Sequence, residues 1–131
     1  MKNNFALGRA SMKNLDRVDK RWYQILQTAI KLTRVDFGIP STGGYRTVEQ
    51  QRELFNTGAS LCDGLTNRSR HQSGLAVDVF AYVNGKAGYK TSDLDKIATA
   101  ILQAALIHGH KISWGGLWTN FVDRPHFELL E

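Results

Sequence analysis

The chain has 131 residues, enough for one domain with its own hydrophobic core, and a single domain over 1–131 is expected. Its formal net charge of +5 favours anionic surroundings, but the basic residues are scattered and form no run interleaved with aromatics, which argues against a nucleic-acid partner. One cysteine, Cys62, excludes an internal disulfide framework and a Cys-rich zinc knuckle, and no apolar run reaches the length of a membrane span, so no stable membrane insertion is expected.

The opening stretch, "MKNNFALGRASMKN", lacks the long apolar segment of a secretory signal. Synthesis as a soluble cytoplasmic chain is expected, with any export needing outside help. Apolar residues then recur at helical spacing at Leu15, Val18, Trp22, Ile25, Leu26, Ala29 and Leu32. They predict a helix from Leu15 to about Thr33, with Asn14 as N-cap, Asp16 at the positive end of the dipole and Trp22 in the core. "RVDFGIPSTGGYRT" reads as a short strand followed by a glycine-rich turn. Thr47, with Gln50 three residues on, has the pattern of a capping box, and the helix it opens ends at Gly58.

"ASLCDGLTNRSRHQSG" reads as loop. Cys62 within it is taken as a small, partly buried side chain, and "DGLTN" lacks the spacing of a calcium loop. "LAVDVFAYV" predicts one strand and "NGK" a turn after it. Ser92 is the expected cap of the next helix, whose buried face is Leu94, Ile97, Ala98, Ile101, Leu102, Ala105 and Leu106, and which ends at Gly109. "KISWGG" and "HFELL" read as short strands around a polar loop containing "FVDRP". Helices and strands mix without a βαβ repeat. The expected class is α+β, a small, mostly antiparallel sheet flanked by helices.

One residue stands out. Asp78 sits among Leu75, Val77 and Val79, where an unpaired carboxylate would cost several kcal/mol (about 2–7 for a polar group, more for a charge). Strand alternation resolves this: Leu75, Val77 and Val79 share one face, Ala76 and Asp78 the other. The last strand repeats the design, with Phe127 and Leu129 on one side and His126 and Glu128 on the other. If the two strands are neighbours, Asp78 and His126 converge, and His71 in the preceding loop supplies a third donor. Two histidines and an aspartate suit Zn²⁺ on the sheet face, with a fourth position for water, whose pKa the metal lowers. Asp123, three residues before His126, is placed to be a general base, or is an exposed loop residue. The structural alternative is a capping His71, an Asp78 paired with arginine and a satisfied sheet histidine at 126; spacing alone leaves the two readings level.

Here the residues resemble a known family. "SRHQSGLAVDV" is similar to the Ser-x-His-x-x-Gly-x-Ala-x-Asp signature of the VanY-like zinc peptidases, "WGGLW" followed by "DRPHFE" to their second signature, and "GGYRTVEQQRELFNTGAS" to the Gly-x-Arg-Thr segment upstream. The superfamily contains D-alanyl-D-alanine carboxypeptidases, D-Ala-D-Ala dipeptidases and L-alanyl-D-glutamate endopeptidases. The chain looks most like a single-domain phage endolysin of the last kind.

That resemblance implies zinc on His71, Asp78 and His126, Asp123 as general acid/base, and Arg46 holding a substrate carboxylate or the developing oxyanion. The plainer role for Arg46 is an ion pair with Asp36 or Glu49. Ser69 is expected to cap the loop or touch peptide, Glu128 to orient His126 or face solvent, and Trp114 and Trp118 to wall a cleft unless Trp114 is core. His108 and His110 are expected on the surface. Substrate-specific variation is expected in the loop from Ala59 to Arg70.

The implied function is hydrolysis of bacterial peptidoglycan stem peptides by a monomer, held in the host cytoplasm until a holin opens the membrane. The rivals are a D-alanyl-D-alanine carboxypeptidase with the same metal site and a non-catalytic wall-binding module.

Overall fold

The computed structural model describes residues 3–130. Four helices, α1 (Arg9–Asn14), α2 (Lys20–Leu32), α3 (Val48–Asn56) and α4 (Thr91–His108), alternate with six short strands. The strands are β1 (Phe37–Gly38), β2 (Ala76–Asp78), β3 (Phe80–Val83), β4 (Lys86–Gly88), β5 (Ile112–Trp114) and β6 (His126–Leu129). They form two antiparallel three-stranded sheets, ordered β1-β3-β4 and β2-β6-β5. The class is the α+β expected, with two sheets in place of one. Helices α2 and α4 pack on each other, and Trp22, Ile25, Ile97, Ile101, Val77 and Phe127 join one continuous core.

The helix expected from Leu15 to Thr33 is two elements. Asn14 ends α1 and donates its side-chain amide to the Ile39 carbonyl, so it is not the cap of α2. Arg17 adopts φ 72°, which breaks the helical path. Asp19 then caps α2 by accepting from the Arg21 amide. Leu15 and Val18 are buried in the turn between the helices, so their spacing mimicked a continuous stripe.

The strand expected over Leu75–Val83 is also two. At the buried Val79 the chain leaves one sheet for the other, and the Val79 amide donates to the Pro125 carbonyl, 3.0 Å away. Apolar alternation runs through the break because both sheets share the core. The "NGK" turn is as read: Asn84 and Gly85 take φ 54° and 77° and close the β3–β4 hairpin. Thr47 and Gln50 form the capping box of α3. Ser92 is not a cap, since α4 begins at Thr91 with Lys90 before it and no side-chain cap. Gly109 ends α4 in the left-handed conformation.

Candidate metal centre

Antiparallel pairing sets Asp78 directly opposite His126, with Ala76 opposite Glu128 and Val77 opposite Phe127. The pleat therefore sends Asp78, His126 and Glu128 to one face and the fully buried Val77 and Phe127 to the other.

His71 arrives from a 3₁₀ turn, Arg70–Ser73. Ser69 opens that turn with a capping box: its hydroxyl accepts from the His71 amide while Gln72 accepts from the Ser69 amide. The glycine-rich turn closes over the other side. The Gly44 carbonyl lies 2.9 Å from His71 Nδ1, and the Arg46 amide donates to the His71 carbonyl. A Cβ on Gly44 would come within 2.0 Å of the Asn14 carbonyl oxygen, so only glycine fits between α1 and this histidine.

The three donors converge. Asp78 Oδ1 is 3.2 Å from His71 Nε2 and 3.0 Å from His126 Nδ1, and the three ligand atoms lie within 4.8 Å of one another. A carbonyl only accepts, so His71 Nδ1 carries the proton and Nε2 presents a lone pair. His126 Nε2 sits 2.8 Å from Glu128 Oε1 and holds its proton there, while Nδ1, 3.0 Å from Asp78 Oδ1, can exchange its proton for a cation and then present a lone pair. Two ring nitrogens and a carboxylate oxygen face one another, and His71 Nε2 is buried without a hydrogen-bond partner among the described residues. A cation satisfies all three at once. These residues fit a divalent metal ion with nitrogen and oxygen donors.

Electrostatics agree. Burial opposes charge on His126, but hydrogen bonds to Asp78 and Glu128 and the charges of Asp78 and Asp123 outweigh it and push the imidazole up to about 9. Burial likewise opposes ionisation of Asp78, yet hydrogen bonds from His126 and His71 and their charges hold it well below the usual carboxylate range. Without a metal, a proton takes the place of the cation.

Arg46 is buried, and each of its three nitrogens donates a hydrogen bond. Its Nη2 donates to Asp78 Oδ2 at 3.0 Å, its Nη1 to Gln51 Oε1 at 3.0 Å and its Nε to the Thr42 carbonyl at 2.7 Å. Its ion-pair partner is thus the candidate ligand Asp78, and neither Asp36 nor Glu49. Burial lowers its pKa, and Asp78 and Asp123 counter this.

Asp123 is half-buried and lines the same cleft. Burial first, and then the charge of Asp78, raise its pKa, against the opposing pull of His126, His71 and Arg46. Gly115 holds its backbone: the Asp123 amide donates to the Gly115 carbonyl, and a Cβ on Gly115 would sit 2.2 Å from the Asp123 carbonyl oxygen.

The cleft encloses roughly 390 Å³. The segment 59–62 and Arg68, within the loop in which variation is expected, line it together with Trp118, Phe121 and Asp123. Trp118 lies 5.2 Å from the His126 ring, its indole N–H donating to Ser113. Trp114 instead stacks on Phe127 and packs on the core. Glu128 orients His126 as well as facing the cleft. His108 and His110 lie away from this site and bond Thr28 and Gln24.

Sequence reasoning missed Gln51. It is fully buried, accepts from Arg46, and donates to Ser60 Oγ and the Cys62 carbonyl at 2.8 Å each, tying the ion pair to the cleft wall. In "VEQQREL" it has polar neighbours and no periodic signal. Cys62 is the partly buried side chain expected, though it lines the cleft.

An open cleft floored by two imidazoles and a carboxylate, with a further carboxyl of raised pKa beside them, is the kind of site a metal-dependent hydrolase uses. Residues 3–130 match the family model described as phage L-alanyl-D-glutamate peptidase, and the chain belongs to that family. It is 30% identical over 118 residues to the L-alanyl-D-glutamate peptidase of Escherichia phage T5, covering 88% of this chain and 82% of that protein. It is 38% identical over 87 residues to the peptidase of the same name from Listeria phage A118, covering 64% of this chain but 27% of that protein. The Serratia marcescens L-Ala D-Glu endopeptidase ChiX superposes with a TM-score of 0.83 at 33% identity, covering 97% of this chain and 92% of that one.

Proposed function

We infer that this chain is an endolysin that hydrolyses the L-alanyl–D-glutamate bond of bacterial peptidoglycan stem peptides during phage-driven host lysis. The observation that carries the reading is the His71–Asp78–His126 cluster, two ring nitrogens and a carboxylate oxygen within 4.8 Å of one another in a cleft, in a chain matched to its family from residue 3 to residue 130.

We assign His71, Asp78 and His126 as metal ligands and Zn²⁺ as the metal, because two imidazoles and one carboxylate suit it. When bound, the ion supplies Lewis acidity to the substrate carbonyl and lowers the pKa of a water. Asp123 takes the proton of the attacking water and passes it to the leaving amine; its raised pKa suits a group that must both accept and release a proton. Arg46 holds Asp78 in place and sets a guanidinium charge beside the cleft, where it stabilises negative charge on the carbonyl oxygen. Gly44 and Glu128 fix the tautomers of the two histidines. Trp118 and Phe121 give the peptide an apolar wall.

The reading is of a monomeric, single-domain enzyme. In this reading the protein waits in the host cytoplasm for release to the wall; among the described residues no helix is long and apolar enough to cross a membrane.

The test is to incubate zinc-loaded protein with purified peptidoglycan and identify soluble products by mass spectrometry. Stem peptides with a free D-glutamyl amino terminus are expected. Loss of a terminal D-alanine alone would replace this reading with a carboxypeptidase. No release, with zinc confirmed bound, would leave a wall-binding module.

A further inference from the structure

Three arginines line the cleft, and two of them are committed to its own acids. Arg46 is buried on Asp78. Arg70 sets Nε 3.4 Å from Glu128 Oε2 and donates to the Leu129 carbonyl. Arg68 differs. It is exposed, it lines the cleft, and it makes no hydrogen bond or ion pair among the described residues. Arg68 is thus the one arginine of the cleft without a partner among the described residues, and it faces solvent.

The substrate named by the family supplies a matching charge. A glutamyl residue whose amine lies in the scissile bond has two carboxyl groups. The peptide continues through one of them and the other stays free, a few bonds from the carbonyl that is attacked. A guanidinium takes such a carboxylate in a paired, charge-assisted contact.

We propose that Arg68 binds the free carboxylate of the substrate's D-glutamyl residue and so makes the cleft select stems in which that carboxyl is ionised over stems in which it is amidated. The proposal rests on the reading of this chain as an L-alanyl-D-glutamate peptidase. Arg68 is a specificity residue and takes no part in the chemistry, so its removal weakens binding of one substrate form and leaves turnover alone.

The experiment uses the zinc-loaded full chain and three synthetic stem peptides: one with all carboxyls free, one with the glutamyl carboxyl as carboxamide, and one amidated only at the stem's C-terminus. Wild type is expected to show a KM about tenfold lower for the free glutamyl form than for its amide, the scale of one partly exposed charge contact. Arg68→Gln should raise KM for the free form by about the same factor, leave kcat within about twofold and leave the glutamyl amide unaffected. Arg68→Lys should restore part of the preference.

A preference that survives Arg68→Gln would overturn the proposal. So would a fall in kcat at constant KM, or sensitivity only to the C-terminal amide, which would place Arg68 on a different carboxylate. If zinc-loaded wild type cleaved none of the three, the peptidase reading itself would fail, and that outcome is distinct from the rest.

Discussion

His126 Nε2 and Glu128 Oε1 lie 2.8 Å apart, two residues along one strand and on the same face. The carboxylate accepts a hydrogen bond from Nε2–H, and in the proposed site this leaves Nδ1 to face the metal. Its pKa falls chiefly through that bond, with His126, Arg70 and His71 adding charge and burial opposing. Glu128→Ala should therefore weaken zinc binding by about 10- to 100-fold, read by chelator competition. Glu128→Gln keeps an acceptor oxygen and should lose less. Equal zinc affinity in all three proteins would remove Glu128 from the site.

Asp123 and Gly115 form a second linked pair. Asp123→Asn should keep zinc stoichiometric and lower kcat by about 10²- to 10⁴-fold, the usual range for a positioned acid/base. Gly115→Ala should also lower kcat with zinc retained, because the added methyl pushes on the Asp123 backbone. Full activity in Asp123→Asn would assign the proton transfer elsewhere.

Much of this site is written in local pattern. Asp78 and His126 are legible because each is the polar partner in a short alternating strand, and Thr47–Gln50 because a capping box is a four-residue signal. What the pattern does not hold is nonlocal. The register that sets Asp78 against His126, the Gly44 carbonyl on His71 and the Arg46–Asp78 pair that Gln51 supports join segments far apart in the chain. The breaks at Arg17 and Val79 escaped for a related reason: residues on both sides face one core, so burial is continuous where the backbone is not.

Gln51 serves three partners with the two ends of one amide, and substitutions can separate the ends. Gln51→Leu removes both ends and should destabilise the fold by about 1–3 kcal/mol, because it leaves buried polar groups unpaired. Gln51→Glu keeps an acceptor for Arg46 and loses the donor to Ser60 and Cys62. It should retain zinc affinity while the 59–62 wall loosens, seen as faster amide exchange there. Urea unfolding and hydrogen exchange check the pair. A neutral Gln51→Leu would mean the bridge contributes nothing to stability.

Asp19 offers a pH test away from the metal. The Arg21 side-chain hydrogen bond, backed by the Arg21 amide and charge against a burial cost, lowers its pKa from 3.8 to about 2. The folded value is depressed, so its contribution is fully present above the unfolded pKa and fades as pH falls through the folded one. Asp19→Ala should cost about 1 kcal/mol near neutral pH, the usual worth of a helix N-cap. That difference from wild type should shrink between about pH 4 and pH 2 as the wild-type carboxylate protonates. Asp19→Asn, which caps without titrating, should show a flatter profile against Asp19→Ala over the same range. Urea midpoints across that range decide it, and a pH-independent Asp19→Ala penalty would show that the charge is not what holds the start of α2.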